Sequence, residues 1–536
     1  MIMGEQEGGR GGGDARGEVT SGEMRSSISR RVVRGVAWTL PTSLGSRIAG
    51  LIGTLLLARF LSPAEYGEVS AAAIVIGTAT SVTTFGVGIY LVSSRDVSRA
   101  EAFHATCWFL AMGVLALAFV SALTGPLGTW LDAPGLARFM PLLVASALLD
   151  RVSYLPERML VRKLRFRWLS VARALGELCF TGVSLALAAT GFGAIALAWG
   201  GLCRSAFRFA AIVPAAARRD WLEPHPLRLA TLRKIVCYGM NVAFTSIAGF
   251  GMRRWDKLLV SRYFSPAVMG VYNYAYNLAD TPAVAIGEQM ADVISASFPH
   301  VEQERRPAAL VRSFTMISLV MLPLAAGLGA VAPTLVDTFF PNRWAGLGTM
   351  LVWLATLSAA RPLADVVNSY LYACGRPRTV LWLEWLGLGM VVVSLSTIGR
   401  IDTTWMSISV GTAFVLRLLA ALWTVRRLDG TPVSTFLRPL AGPAVTCAAM
   451  VSTIAIARHA LLPLRPTTRL VLEVVIGAAV YLAGALVVFR PAAMDLLDLV
   501  RSSLAPRAAR ERRDGAKRAG AAPTVPGGPG GAKTAG

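Results

Sequence analysis

The chain has 536 residues, of which 54% are hydrophobic and 16% are charged, and its formal net charge is +22. A soluble domain carries about 25% charged residues, whereas many apolar runs here approach the ~20 residues that cross a bilayer as one helix. The composition therefore excludes a soluble globular domain and predicts an all-α polytopic membrane protein. A β-barrel would instead show shorter segments of alternating hydrophobicity.

We predict about fourteen transmembrane helices. In chain order their approximate bounds are 36–58, 68–92, 103–124, 138–156, 169–190, 193–213, 237–261, 268–294, 310–332, 346–372, 379–398, 404–424, 439–460 and 468–489. The segment before the first span and every second loop after it are rich in Lys and Arg, and the opposite loops are poorer, except the last one, which contains Arg465. The positive-inside rule therefore predicts a multi-pass membrane protein with both termini in the cytoplasm.

A short stretch near the first span recurs near the seventh. Each copy ends an apolar run with an Arg, then forms a Ser-Pro-Ala turn and continues through a Gly into another apolar run. Arg59, Ser62, Pro63, Ala64 and Gly67 recur 203 residues later as Arg262, Ser265, Pro266, Ala267 and Gly270. This pattern predicts a duplicated helical corner. Because an even number of spans separates the copies, spans 1–6 and 7–12 are predicted to form two parallel six-helix lobes, with two extra helices after them.

These predictions divide the chain into six parts. They are a disordered cytoplasmic N-terminus (1–32), an N-lobe (33–214), a cytoplasmic basic linker (215–236), a C-lobe (237–426), helices 13 and 14 (438–489) and a disordered basic cytoplasmic tail (490–536). The loop and tail cations are typical of segments beside anionic membrane lipid, which we expect as a partner, and we expect no binding of nucleic acid. Scattered cysteines and histidines indicate no metal and no cofactor.

Charged residues inside membrane spans are costly and are therefore functional candidates. Span seven has the densest group, in which Asp256 alone cannot neutralise Arg253, Arg254 and Lys257. Since Arg binds phosphate oxygens bidentately, a diphosphate is the natural ligand. Together with Arg47 of span one, these three cations are predicted to bind an anionic substrate. The alternative is that they extend towards the lipid headgroups.

A second group of intramembrane residues could balance charge or couple an ion: Asp256, Asp280, Glu288, Asp292, Arg361 and Asp365. Arg361 and Asp365 are four residues apart, as are Arg173 and Glu177. At that spacing two side chains share one face of a helix, so a structural ion pair remains the alternative for each pair.

Motifs of catalysis are absent from the sequence. It contains no Asp-x-Asp, His-Glu-x-x-His, Gly-x-Ser-x-Gly or Walker pattern, and the loops between the spans are short. The sequence therefore favours a protein that is not an enzyme.

The sequence resembles the polysaccharide (O-antigen and capsule type) flippases of the multidrug/oligosaccharidyl-lipid/polysaccharide exporter superfamily. The resemblance is carried by the run 57–67, by Asp256 to Val260, by Gly270-Val271-Tyr272 and by Phe298-Pro299, with a looser match at 340–344. It implies a two-lobed bundle that moves an undecaprenyl-diphosphate-linked oligosaccharide across the bacterial cytoplasmic (inner) membrane by alternating access, for polysaccharide export. A polysaccharide polymerase is a further expected partner.

Two rival functions stay open at this point. A cation-coupled exporter of drugs or metabolites in the same superfamily would need a cavity dominated by carboxylates. A membrane enzyme of glycan assembly would need the catalytic motifs that the sequence lacks.

Overall fold

The computed structural model describes residues 52–84, 86–93, 98–226, 228–287 and 301–491, together with residues 45, 50, 290, 298 and 494. Within these residues the chain is helical and forms no β-strand. Nine of the described helices are long and apolar enough to cross a membrane, or ten if the bent pair Leu229–Cys237 and Val242–Tyr263 is one span. The predicted fold class is confirmed. The count of fourteen is consistent with these helices and stays a prediction, as do the boundaries of the six parts.

The helices of the first half follow a helical segment at residues 52–57. They are α1 (Pro63–Val82), α2 (Val87–Ser93), α3 (Arg99–Ala122), α4 (Thr124–Trp130), α5 (Leu136–Arg162), α6 (Phe166–Ala189) and α7 (Ile195–Ile212). Within this half α6 packs along α7, and α7 packs along α5.

The second half contains the longer helices and the C-terminal pair. They are α8 (Leu229–Tyr263), α9 (Pro266–Pro282) followed by a π-helical turn (Ala283–Gly287), α10 (Arg306–Phe339), α11 (Leu347–Leu354), α12 (Leu357–Ala373), α13 (Pro377–Thr397), α14 (Thr403–Asp429), α15 (Val433–Leu437), α16 (Ala441–Leu461) and α17 (Pro466–Val488). Here α8 packs on α13, and α10 packs on α12.

The two copies of the repeat pack against each other where α1 crosses α9. Ser62 and Ser265 cap these helices by accepting hydrogen bonds from the backbone amides of Glu65 and Val268. A methyl group at Gly67 would overlap the carbonyl of Pro266, and one at Gly270 would overlap the carbonyl of Pro63. The duplicated glycine is therefore needed because the two backbones touch there.

The predicted second span is interrupted rather than continuous. The helix α1 ends at Val82 and α2 begins at Val87, with Gly86 at φ +61° between them. A methyl group at Gly86 would lie 2.8 Å from the carbonyl oxygen of Gly239, and α8 bends by 51° between Cys237 and Val242. Buried Arg151 of α5 donates hydrogen bonds to the Thr80 carbonyl and the Thr83 hydroxyl at the end of α1. Close backbone approach and this side-chain cap explain the break.

The C-terminal helices α16 and α17 pack together and against α10. Glu473 of α17 is fully buried and accepts hydrogen bonds from Thr334 of α10 (2.9 Å) and Arg458 of α16 (3.1 Å). Tyr481 donates to the carbonyl of Leu319 at 2.8 Å. A buried carboxylate is stable only with such partners, so this polar contact fixes the extra pair on the C-lobe.

Candidate functional site

A cavity of about 530 Å³ lies between the N-lobe and the C-lobe, next to the crossing of α1 and α9. Its walls come from residues 54 and 57, from α1 and α5 to α7 of the N-lobe, and from α8 and α9 of the C-lobe. Its polar lining residues are Thr54, Tyr66, Ser70, Ser146, Arg204, Arg254, Asn273, Tyr274 and Asn277. None of the described residues that line it is Asp or Glu, so its fixed charge is positive.

Two arginines supply that charge from opposite lobes. Arg254 of α8 is exposed, and Arg204 lies near the middle of α7. Arg204 also lies 3.5 Å from Glu177 of α6 and stacks on the ring of Phe180 at 5.1 Å. Two guanidinium groups facing one acid-free space are suited to an anion that can accept bidentate hydrogen bonds.

Lys257 and Asp256, by contrast, are fully buried inside the C-lobe. The Lys257 ammonium donates to the carbonyl of Arg253 (2.9 Å), lies 3.5 Å from the centre of the Tyr276 ring and is 3.8 Å from an Asp256 carboxylate oxygen. Tyr272 donates to the other Asp256 oxygen at 2.7 Å. In this conformation Lys257 is a partner of Asp256 and does not line the cavity.

Arg253 does not line the cavity. It belongs to a cluster of charged residues within the C-lobe that also contains Asp280, Arg361, Asp365, Glu384 and Arg417. Arg361 forms an ion pair with Asp280, and Arg417 forms one with Glu384. Asn368 donates to Glu384 at 3.0 Å, and Asp365 lies one helical turn after Arg361 on α12. A methyl group at Gly249 would lie 3.6 Å from both Arg253 and Glu384. The acids here are matched by cations, which supports a charge-balancing role.

Three predicted site residues, Arg47, Glu288 and Asp292, lie outside the described residues. The structure therefore brings Arg254 to the cavity, places Arg253 with Asp280, Arg361 and Asp365 in the cluster, and buries Asp256 with Lys257. The roles assigned to these residues stay predictions.

Ion pairs within the N-lobe join different partners from those that the sequence spacing indicates. Arg173 pairs with Glu157 of α5, and Arg208 lies 2.9 Å from the same carboxylate. Glu177 pairs with Arg204 instead of Arg173. Spacing along one helix cannot identify a partner on the next helix, and α5, α6 and α7 meet at this point.

Sequence reasoning missed several cavity residues. Arg204 lies at the middle of α7 and is not among the predicted site residues. Asn273 and Asn277 carry no charge and are therefore not among the predicted site residues, although two amides four residues apart in an apolar span share one face. The sequence spacing also distinguishes the span-seven cations from one another. Arg253 and Lys257 are four residues apart and share one face of α8, whereas Arg254 lies on a different face.

Aromatic side chains pack together at the crossing, beside the cavity. The rings of Tyr66 and Tyr274 are 4.2 Å apart, and Trp344 lies 4.4 Å from Tyr274. Trp344 is fully buried and its indole donates to the carbonyl of Ala58 at 2.9 Å. Arg343 donates to the carbonyls of Ala58 and Arg59. The turn before α11 therefore caps the end of the N-lobe's first helical segment.

The polysaccharide biosynthesis protein family matches residues 56–348, which is more than half of the chain. The chain is 25% identical over 499 residues to the succinoglycan biosynthesis transport protein ExoT of Rhizobium meliloti (strain 1021), covering 90% of this chain and 98% of the relative. It is 20% identical to the lipopolysaccharide biosynthesis protein WzxC of Escherichia coli (strain K12), covering 65% of this chain and 71% of that protein.

Among solved structures, the fold is similar to that of the lipid II flippase MurJ in an inward closed conformation. The TM-score is 0.70 at 14% identity, and the match covers 84% of this chain and 99% of MurJ. At this identity the likeness concerns the fold alone.

Proposed function

Because this chain belongs to the polysaccharide biosynthesis protein family, we propose that it is a flippase for a lipid-diphosphate-linked oligosaccharide in polysaccharide export. The observation that carries the proposal is the central cavity, to which Arg204 and Arg254 contribute cations and no described residue contributes an acid. The family, the names of ExoT and WzxC and the fold shared with a lipid flippase support the same function.

The cavity geometry suits the two chemically different parts of such a substrate. A diphosphate is a compact anion, and guanidinium groups from two lobes can bind its oxygens at once. The polyprenyl chain is apolar and stays in the bilayer, so the cavity needs to hold only the head group. Substrate binding from both walls would couple the head group to the relative position of the lobes.

Alternating access follows from the same arrangement. We propose that the crossing of Gly67 and Gly270, with the aromatic residues beside it, closes one end of the cavity. On the predicted topology this end faces the outer surface, and the conformation would then be closed to the outside. We infer that the crossing separates when the head group is released, with both termini remaining in the cytoplasm of the bacterial inner membrane.

Transport rather than catalysis is the proposed activity, and anionic lipid and a polysaccharide polymerase remain proposed partners. A cation-coupled drug exporter fits less well. It needs carboxylates in its cavity, whereas described acids of the C-lobe interior, such as Asp280 and Glu384, are paired with arginines.

The test is transport in proteoliposomes that contain a labelled polyprenyl-diphosphate oligosaccharide. Replacing both Arg204 and Arg254 with Ala removes the cavity charge, and each lost charge-assisted contact is worth about tenfold or more. We expect the transport rate of the double variant to fall at least about tenfold. The fall should be smaller when Arg254→Lys takes the place of Arg254→Ala in that variant. The control is Arg427→Ala, because Arg427 is exposed and stacks on Trp423 away from the cavity. Normal transport by the double variant at equal amounts of folded protein would refute the proposal.

A further inference from the structure

We propose that Asn273 and Asn277 of α9, with Tyr66 and Ser70 of α1, form a neutral subsite that binds the hydroxyl groups of the sugar attached directly to the diphosphate. This inference rests on the proposed function and assigns a specificity-determining role to residues of the same cavity. The cations would then bind any lipid diphosphate, whereas this subsite would select among the sugars that it carries.

The four side chains form one connected group on the wall made by α1 and α9. The Asn273 amide donates to the Ser70 hydroxyl at 2.9 Å and to the Tyr66 hydroxyl at 3.3 Å. The Asn277 amide donates to the same Tyr66 hydroxyl at 3.4 Å. All four residues line the cavity. This group is uncharged and separate from Arg204 on α7 and Arg254 on α8.

Hydrogen-bonding capacity is left over in this group. Asn273 is only 5% exposed, and its carbonyl oxygen Oδ1 accepts no hydrogen bond from the described part of the chain. A buried acceptor without a partner costs about 1–3 kcal/mol, so such groups call for a partner. Because this oxygen is itself buried, a ligand hydroxyl can donate to it only if the amide turns towards the cavity that Asn273 lines. The half-buried Asn277 has its own amide oxygen with which to accept another.

The chemistry of the group fits a sugar better than a phosphate. Amide and phenol groups both donate and accept, as a ring of sugar hydroxyls requires, whereas a diphosphate offers only acceptors. Tyr66 and Tyr274 also present aromatic carbon beside these amides, with ring centres 4.2 Å apart. Apolar walls with a few convergent polar groups are typical of small-molecule binding sites.

The repeat supports a role beyond joining the lobes. Asn273 lies 203 residues after Ser70, so the two residues occupy equivalent positions in the two copies and bond to each other. A second serine at this position could make a hydroxyl pair of the same kind. The amide adds an acceptor, Oδ1, that the lobe contact does not use.

The experiment compares two ligands, bare polyprenyl diphosphate and polyprenyl diphosphate carrying one hexose, for binding to the purified full-length protein in nanodiscs. We expect the wild type to bind the hexose-bearing lipid more tightly. Asn277→Leu should remove most of that preference, weakening the hexose-bearing lipid by about tenfold and leaving the bare lipid unchanged within about twofold. Tyr66→Phe removes one hydroxyl and should act in the same direction, which guards against a folding defect in the first variant.

The outcomes separate the two proposals. Equal binding of the two lipids by the wild type, or equal losses for both lipids in Asn277→Leu and Tyr66→Phe, would overturn the sugar subsite. Arg254→Ala should weaken both lipids alike. If Arg254→Ala leaves the affinity for both lipids unchanged, the binding site on which the proposed function rests is contradicted. That conclusion holds whether or not Asn277→Leu changes the preference for the hexose-bearing lipid.

Discussion

The two copies of the repeated corner share one backbone arrangement and carry different side chains. Gly67 and Gly270 make reciprocal backbone contacts, and Ser62 and Ser265 cap α1 and α9 in the same way. At other equivalent positions, however, Gly53, Thr54 and Gly77 of the first copy correspond to Asp256, Lys257 and Asp280 of the second. The backbone contact is therefore symmetric, whereas the charged residues at these three positions occur in the second copy only.

The largest effect is expected where the copies differ most. Lys257→Met would leave Asp256 buried without its cation, and breaking a buried pair costs about 3–5 kcal/mol. Thr54→Val at the equivalent N-lobe position loses one hydroxyl bond to the Gly50 carbonyl, which is worth about 1 kcal/mol. The measurement is the thermal unfolding midpoint of the purified protein in detergent.

A double variant sharpens this prediction. Asp256→Asn with Lys257→Met removes both charges and should recover much of the stability lost in Lys257→Met alone. If the double variant is as unstable as Lys257→Met alone, the stability that Lys257 contributes does not come from its pairing with Asp256. Equal losses of thermal stability in Lys257→Met and Thr54→Val would contradict the proposed difference between the two copies.

The next effect tests what the copies share. Gly67→Ala and Gly270→Ala each place a methyl group against a backbone carbonyl of the other lobe, and such overpacking costs about 1–3 kcal/mol. We expect similar losses of thermal stability and a more open crossing, measured as faster labelling of a cysteine introduced at Ala64. Gly389→Ala is the matched control, because a methyl group there has nothing within 4 Å. Strongly unequal effects of the two substitutions would contradict a reciprocal contact.

The smallest effect concerns the helix caps. Ser62→Ala and Ser265→Ala each remove an acceptor for a first-turn amide, at 3.3 Å in one copy and 3.2 Å in the other. A lost N-cap costs about 1 kcal/mol, so both variants should lower the unfolding midpoint slightly and by similar amounts. A large loss in one copy alone would show that its serine has a second role.

Periodicity and charge in the sequence predicted features of single helices but not the contacts between helices. Apolar runs predicted the helices, and five residues at one offset predicted the duplicated corner whose glycines meet in the structure. The break before α2 could not be predicted, because it depends on Gly239 and Arg151 from other helices. The burial of Lys257 likewise depends on Tyr276 and Asp256, and the Arg173 partner depends on α5. Contacts between helices are not encoded in the pattern of any one of them.

Arg204 and Arg254 are proposed to make the cavity a binding site for a lipid diphosphate. The direct test is the affinity of bare polyprenyl diphosphate for three purified proteins. They are the wild type, the double variant with Arg204→Ala and Arg254→Ala, and the control Arg427→Ala. We expect the double variant to bind at least about tenfold more weakly, with Arg427→Ala like the wild type. An unchanged affinity in the folded double variant would contradict the account.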